Sequence, residues 1–123
     1  MHIFLYFYLW YYMGLMMEIL KPSELGKTPE IWGESIKIYK NESKNVEIGL
    51  FTVGPNKSMD IHKHDEADEL IYVLEGRASF SIDNVEKELT QGSAILIPRK
   101  INHKAFNKSS EPYNCLYIIC QLK

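Results

Sequence analysis

Four residues have the types and spacing to meet on one metal ion: His62, His64, Glu69 and His103. On an extended segment, residues two apart share a face. His62 and His64 can then point the same way and offer their imidazoles to one ion. Glu69 follows the acidic turn Asp65-Glu66-Ala67-Asp68 and opens an apolar run. If that run folds back beside the first, its carboxylate reaches the same point. The fourth ligand must come from farther along, and His103 is the candidate. Apart from His2 it is the one remaining histidine in the chain. Imidazole and carboxylate together suit Mn, Fe, Ni, Co, Cu or Zn. The histidine pair taken alone fits a charged surface loop equally well, so its meaning depends on what surrounds it.

The surroundings read as short strands. Val46–Val53, Ser58–His64, Leu70–Leu74, Ala78–Ile82, Val85–Leu89, Ala94–Ile97, His103–Asn107 and Tyr113–Leu122 are apolar or alternating. Gly, Pro, Asn and Asp punctuate them, a pattern of sandwiches and barrels. Asp83-Asn84 between two alternating runs marks a hairpin. No long stretch shows a helical period. The expected fold is all-β, an antiparallel barrel or jelly roll with an irregular N-terminal arm. Residues 18–45 form that arm, with a short strand near Ile36–Tyr39 and a polar loop at Lys40–Asn45, and 46–123 form the barrel.

With those strands in hand, the motifs resemble the cupin superfamily. Gly54, His62-Lys63-His64, Glu69 and Gly76 are similar to its first motif. Gly92, Pro98, His103 and Asn107 are similar to its second. Two departures stand out. Seven residues separate Gly54 from His62 where the family pattern has five, and Lys100 occupies the place of its glycine two after the proline. The stretch Arg77–Gln91 between the motifs is 15 residues, as in the shortest single-domain cupins. The resemblance implies a double-stranded β-helix over roughly residues 34–122 and one divalent metal (Mn, Fe, Ni or Zn) on the four residues above. It also implies a small-molecule ligand and a homodimer. Pro29–Glu34 is similar to the arm of mannose-6-phosphate isomerase-like cupins. The implied chemistry ranges over dioxygenases, sugar isomerases, decarboxylases and sensors. The alternative is a module that binds a small molecule or metal without turnover. No catalytic residue beyond the ligands is assigned.

Alternation predicts which residues face the site. Asp60, Glu69, Ile71 and Val73 should point inward with the histidines. Met59, Ile61, Tyr72 and Leu74 should point outward, Tyr72 and Leu74 toward a second copy. Ala105 should face in with His103 and Phe106 away. Either Tyr113, Cys115 and Tyr117 or Asn114, Leu116 and Ile118 should line the cavity. Arg99 and Lys100 should sit at the barrel mouth, where they could attract an anion. Asn107 should tie its loop through side chain–backbone bonds.

Composition narrows the rest. A chain of 123 residues is one domain by length. A net charge of -2 with no basic stripe argues against nucleic acid. There is no GxSxG, no CxxC and no Gly-rich phosphate loop. Cys115 and Cys120 lie on opposite faces of a strand and should not bond to each other. Residues 1–17 carry no Lys, Arg, Asp or Glu, and seven of the residues from Phe4 to Tyr12 are aromatic. They read as a mis-assigned start, an anchor or a signal. The first places the protein in the cytoplasm; the others tether or export it.

Overall fold

The structure is a computed structural model describing residues 18–122. The apolar leader at residues 1–17, and with it the choice between start, anchor and signal, lies outside the described residues. Among the described residues no helix is long and apolar enough to cross a membrane.

The fold is antiparallel β throughout. The strands are β1 (Lys27–Glu30), β2 (Gly33–Asn41), β3 (Val46–Val53), β4 (Asp68–Glu75), β5 (Arg77–Ile82), β6 (Val85–Thr90), β7 (Ala94–Ile97), β8 (His103–Phe106) and β9 (Tyr113–Cys120). They form a six-stranded sheet in the order β1-β2-β3-β9-β4-β7 and a three-stranded sheet in the order β6-β5-β8. The core lies between the two. It takes alternate residues of each long strand: Phe51 and Val53, Ile71 and Val73, Phe80, and Tyr113, Cys115 and Tyr117. This is the two-residue period of a half-buried strand. On β9 it turns Tyr113, Cys115 and Tyr117 inward, but only Tyr117 of the three lines the cavity, joined there by Ile119, while Tyr113 and Cys115 fill the core.

The turns follow from their residues. Asp83 (φ 50°) and Asn84 (φ 64°) both adopt positive φ, as a two-residue hairpin matching the strand twist requires. Gly76 (φ 86°) joins β4 to β5, where a Cβ would sit 2.9 Å from that of Tyr113. Gly54 faces no such demand; an added Cβ there meets only ordinary contact at 3.4 Å. Packing therefore does not require glycine at this place in the motif. Lys100, where the family pattern has glycine, adopts φ 70°. A side chain in that region is strained by about 1–2 kcal/mol, partly offset by the chain entropy of glycine. Lys100→Gly is therefore expected to stabilise the fold by roughly 0.5–1 kcal/mol in chemical denaturation. A destabilised variant would refute the strain.

Two segments depart from expectation. The arm is more ordered than an isolated strand near Ile36–Tyr39. β1 and β2 form a hairpin whose tip is Ile31-Trp32, and β2 runs through Lys40 and Asn41. β2 then pairs along β3. Gly33 allows this close approach, since a Cβ there would lie 1.9 Å from the Thr52 carbonyl oxygen. The second departure is Ser58–His64, which is not a strand. It touches β8 through two bridges, Ser58 to Phe106 and His62 to His103. Between them the 58–62 side carries one residue more than the 103–106 side, as in a β-bulge.

Candidate metal centre

The bulge decides which side chains meet the cavity. An extra residue resets alternation, so Ser58, Met59, Asp60, His62 and His64 all line it. Met59 therefore faces the cavity and does not point outward with Ile61, which is 57% exposed. Reciprocal backbone bonds, His62 N to His103 O (3.0 Å) and His103 N to His62 O (2.8 Å), hold the two histidines side by side. Lys100 N donates to His64 O at 2.7 Å and anchors the third. Glu69, Ile71 and Val73 point inward from β4 as alternation requires, and Ala105 lines the cavity from β8.

The four donor residues converge. One ligand atom from each of His62, His64, Glu69 and His103 lies within 4.8 Å of every other. The His62 and His103 rings are 4.4 Å apart at their centroids. His62 Nδ1 donates to the Asp60 carbonyl at 2.9 Å, and His103 Nδ1 to the Ile101 carbonyl at 2.8 Å. This arrangement is typical of metal-binding histidines, because it orients the ring and leaves Nε2 for the ion. Glu69 Oε1 lies 3.0 Å from His103 Nε2 and 3.4 Å from His64 Nε2. The latter contact is not aligned as a hydrogen bond, and His64 Nε2 is buried with no hydrogen-bond partner. A buried polar atom left unpaired costs about 1–3 kcal/mol. A cation among these donors would satisfy it.

Electrostatics agree with that fit. Burial pushes the Glu69 carboxyl up, but the hydrogen bond from His103 and the closeness of the His103 and His64 imidazoles outweigh it and hold it at about 2. Burial lowers His62, and the neighbouring His103 adds to this. His103 is also pressed down by burial, yet its bonds to Glu69 and the Ile101 carbonyl leave it raised. An anionic carboxylate amid imidazoles is a donor set suited to Mn, Fe, Ni or Zn.

Other residues take roles different from those their types suggested. Arg99 does not face the cavity. Its backbone N and Nε donate to Asp68 Oδ1 at 3.0 and 3.3 Å, and its Nη2 donates to Oδ2 at 3.1 Å. Leu122 N adds a bond to Oδ2 at 2.9 Å. Asp68 is 2% exposed and begins β4, although its sequence context reads as a solvated acidic turn. Lys100 does not line the cavity either. Asn107 behaves as expected, its amide donating to the Val53 and Glu111 carbonyls at 3.1 and 2.7 Å. Cys115 and Cys120 are unbonded, and burial pushes the Cys115 thiol up to about 12. The lining residues missed include Trp32, half-buried at the β1–β2 tip, Ile31 beside it, which is 91% exposed, and Phe51 and Phe80. Nothing local in Pro29–Glu34 signals that tip.

An antiparallel barrel with three histidines and a glutamate converging inside it defines a class of small barrel proteins. The chain belongs to the cupin domain family, whose model matches residues 49–119. It is similar to an uncharacterized protein of Methanocaldococcus jannaschii, 36% identical over 83 residues, covering 68% of this chain and 62% of that protein. It is also similar to the protein SchB of Streptomyces halstedii, 30% identical over 60 residues, covering 49% of this chain and 44% of that one. The chain thus spans less than two thirds of the length of these relatives. Among solved structures, a protein of Thermotoga maritima described as a predicted oxalate decarboxylase superposes with a TM-score of 0.73. It is 19% identical, with 85% of this chain and 100% of that one covered. At that identity the likeness speaks for the fold.

Proposed function

We propose that this protein holds one divalent transition metal through His62, His64, Glu69 and His103 and presents it to a small molecule in the barrel cavity. The observation that carries this is the convergence of four donors around a buried imidazole nitrogen that has no other partner. A bound ion would supply Lewis acidity and an open coordination position. The chain's own residues orient the His62 and His103 imidazoles through carbonyls, keep Glu69 anionic and line much of the cavity with apolar side chains. Metal-dependent dioxygenase or isomerase-like chemistry suits such a site. The second reading is binding or sensing without turnover. It is favoured by the engagement of the Tyr117 hydroxyl, which already donates to Glu47 at 2.7 Å. Elemental analysis of the protein as isolated tests the metal. Oxygen uptake or substrate loss by the loaded protein then separates turnover from binding. Two unbonded cysteines fit a reducing compartment, the cytoplasm.

The same reading includes a homodimer. The outer face of the six-stranded sheet is apolar across several strands. Leu70 lies opposite Leu96 and Ile118, and Tyr72 lies opposite Ala94 and Leu116. Tyr72 and Leu74 are each 39% exposed, and a contiguous apolar face of this kind marks an interaction surface. Light scattering is expected to give a dimer mass, and Tyr72→Lys with Leu96→Lys a monomer. A monomer mass for the unaltered chain would count against it.

A further inference from the structure

The cavity itself restricts the ligand. It measures about 490 Å³, a size suited to a small organic molecule. Part of its wall is aromatic. Trp32 meets Phe51 edge-to-face with centroids 6.2 Å apart, and Phe51 lies 6.1 Å from Tyr117. Met59 and Phe80 extend the apolar lining. Trp32 is fixed in place: its carbonyl accepts a hydrogen bond from Gly54 N at 2.9 Å, and Gly33 beside it packs directly on β3.

The charges are equally restrictive. Among the described residues no Lys or Arg lines this cavity, and besides Glu69 it carries the carboxylates Glu30 and Asp60. Arg99, the cation expected at the mouth, is bound to Asp68. A phosphate group or a second carboxylate on the ligand would enter with no cation except the ion to pair it. Burying an unpaired charge is costly. A divalent ion and its one liganding carboxylate, Glu69, would carry about one positive charge at the point of attachment, while Glu30 and Asp60 set the rest of the lining against any further anionic group.

We propose that the cavity takes a flat, aromatic, unphosphorylated compound that reaches the ion through neighbouring oxygen atoms, with Trp32 as the residue that sets this specificity. The proposal rests on the metal reading above and narrows it from any small molecule to one chemical class. Sugar phosphates fall outside that class.

The test uses the full chain loaded with Ni(II), with catechol and mannose 6-phosphate as probes in titration calorimetry and with metal content measured in every sample. Catechol is expected to bind, and mannose 6-phosphate to give no heat at the same concentrations. Trp32→Ala is expected to weaken catechol binding by roughly tenfold with nickel content unchanged, while Trp32→Phe largely preserves it. Mannose 6-phosphate binding as well as catechol, or a folded Trp32→Ala that binds catechol normally, would overturn the proposal. If Trp32→Ala does not fold, Trp32→Leu with an unchanged melting profile takes its place. Retained nickel without catechol binding sinks this proposal alone, whereas absence of nickel sinks the metal reading beneath it.

Discussion

Replacing both His62 and His64 by alanine is expected to leave the purified protein without stoichiometric metal. The two side chains supply two of the four donors that lie within 4.8 Å of one another. Loss of residues that merely orient metal ligands weakens binding by about 10–100-fold. Loss of two direct ligands should exceed about a hundredfold. The fold should survive, because the segment carrying them is held by backbone bonds. His62 N still donates to His103 O, and Lys100 N to His64 O. The variant also removes the imidazole whose Nε2 is buried without a partner. In the ion-free state it should therefore be no less stable than the parent. Elemental analysis with a thermal melt checks both parts, and metal retained at one per chain in the double variant would sink the ligand assignment.

Asp68→Ala is expected to destabilise the protein by about 3 kcal/mol. The reason is the company this carboxylate keeps. It accepts from two backbone N–H groups, Arg99 N at 3.0 Å and Leu122 N at 2.9 Å, as well as from the Arg99 side chain. Alanine leaves those backbone donors without an acceptor at a position 2% exposed. The magnitude is set by the backbone bonds; the partly exposed guanidinium adds less because solvent screens it. For a domain of this size the loss corresponds to a drop in melting temperature of roughly 10 °C. A second effect should accompany it. The turn at Arg99-Lys100 holds the His64 carbonyl, so loosening that turn frees one of the proposed metal ligands. Metal affinity is expected to fall although Asp68 is not a ligand. A change in stability below about 0.5 kcal/mol would place this residue among ordinary surface positions.

Most of the site is legible in the order of the residues along the chain. The spacing His62, His64, Glu69 and His103, with Gly76, Gly92, Pro98 and Asn107 around it, marks both the candidate ligands and the barrel. These features are readable because their causes are local. Gly76 and Gly92 serve turns at φ 86° and 85°, and Asp83-Asn84 serves a hairpin whose two residues both need positive φ. The inward set of β4 and β9 is likewise local, since strand alternation determines it once one member is known to be buried.

The remaining features depend on pairings that the chain makes at a distance. Met59 belongs to the cavity because the 58–62 segment bulges against β8, and a bulge is set by its partner strand. Asp68 and Arg99 lie 31 residues apart, and their types and local context suit a solvated turn and a free surface cation. Only folding β4 beside the turn after β7 makes them a pair. Trp32 sits in an arm punctuated by Pro and Gly, and it becomes a wall of the cavity only because β2 pairs along β3. The sequence by itself thus determined the donor atoms and the barrel that gathers them, through residue chemistry, turn conformation and a two-residue period. Tertiary structure alone decided the register, the bulge and the closing tryptophan, because strand pairing brings together residues that carry no mark of one another along the chain.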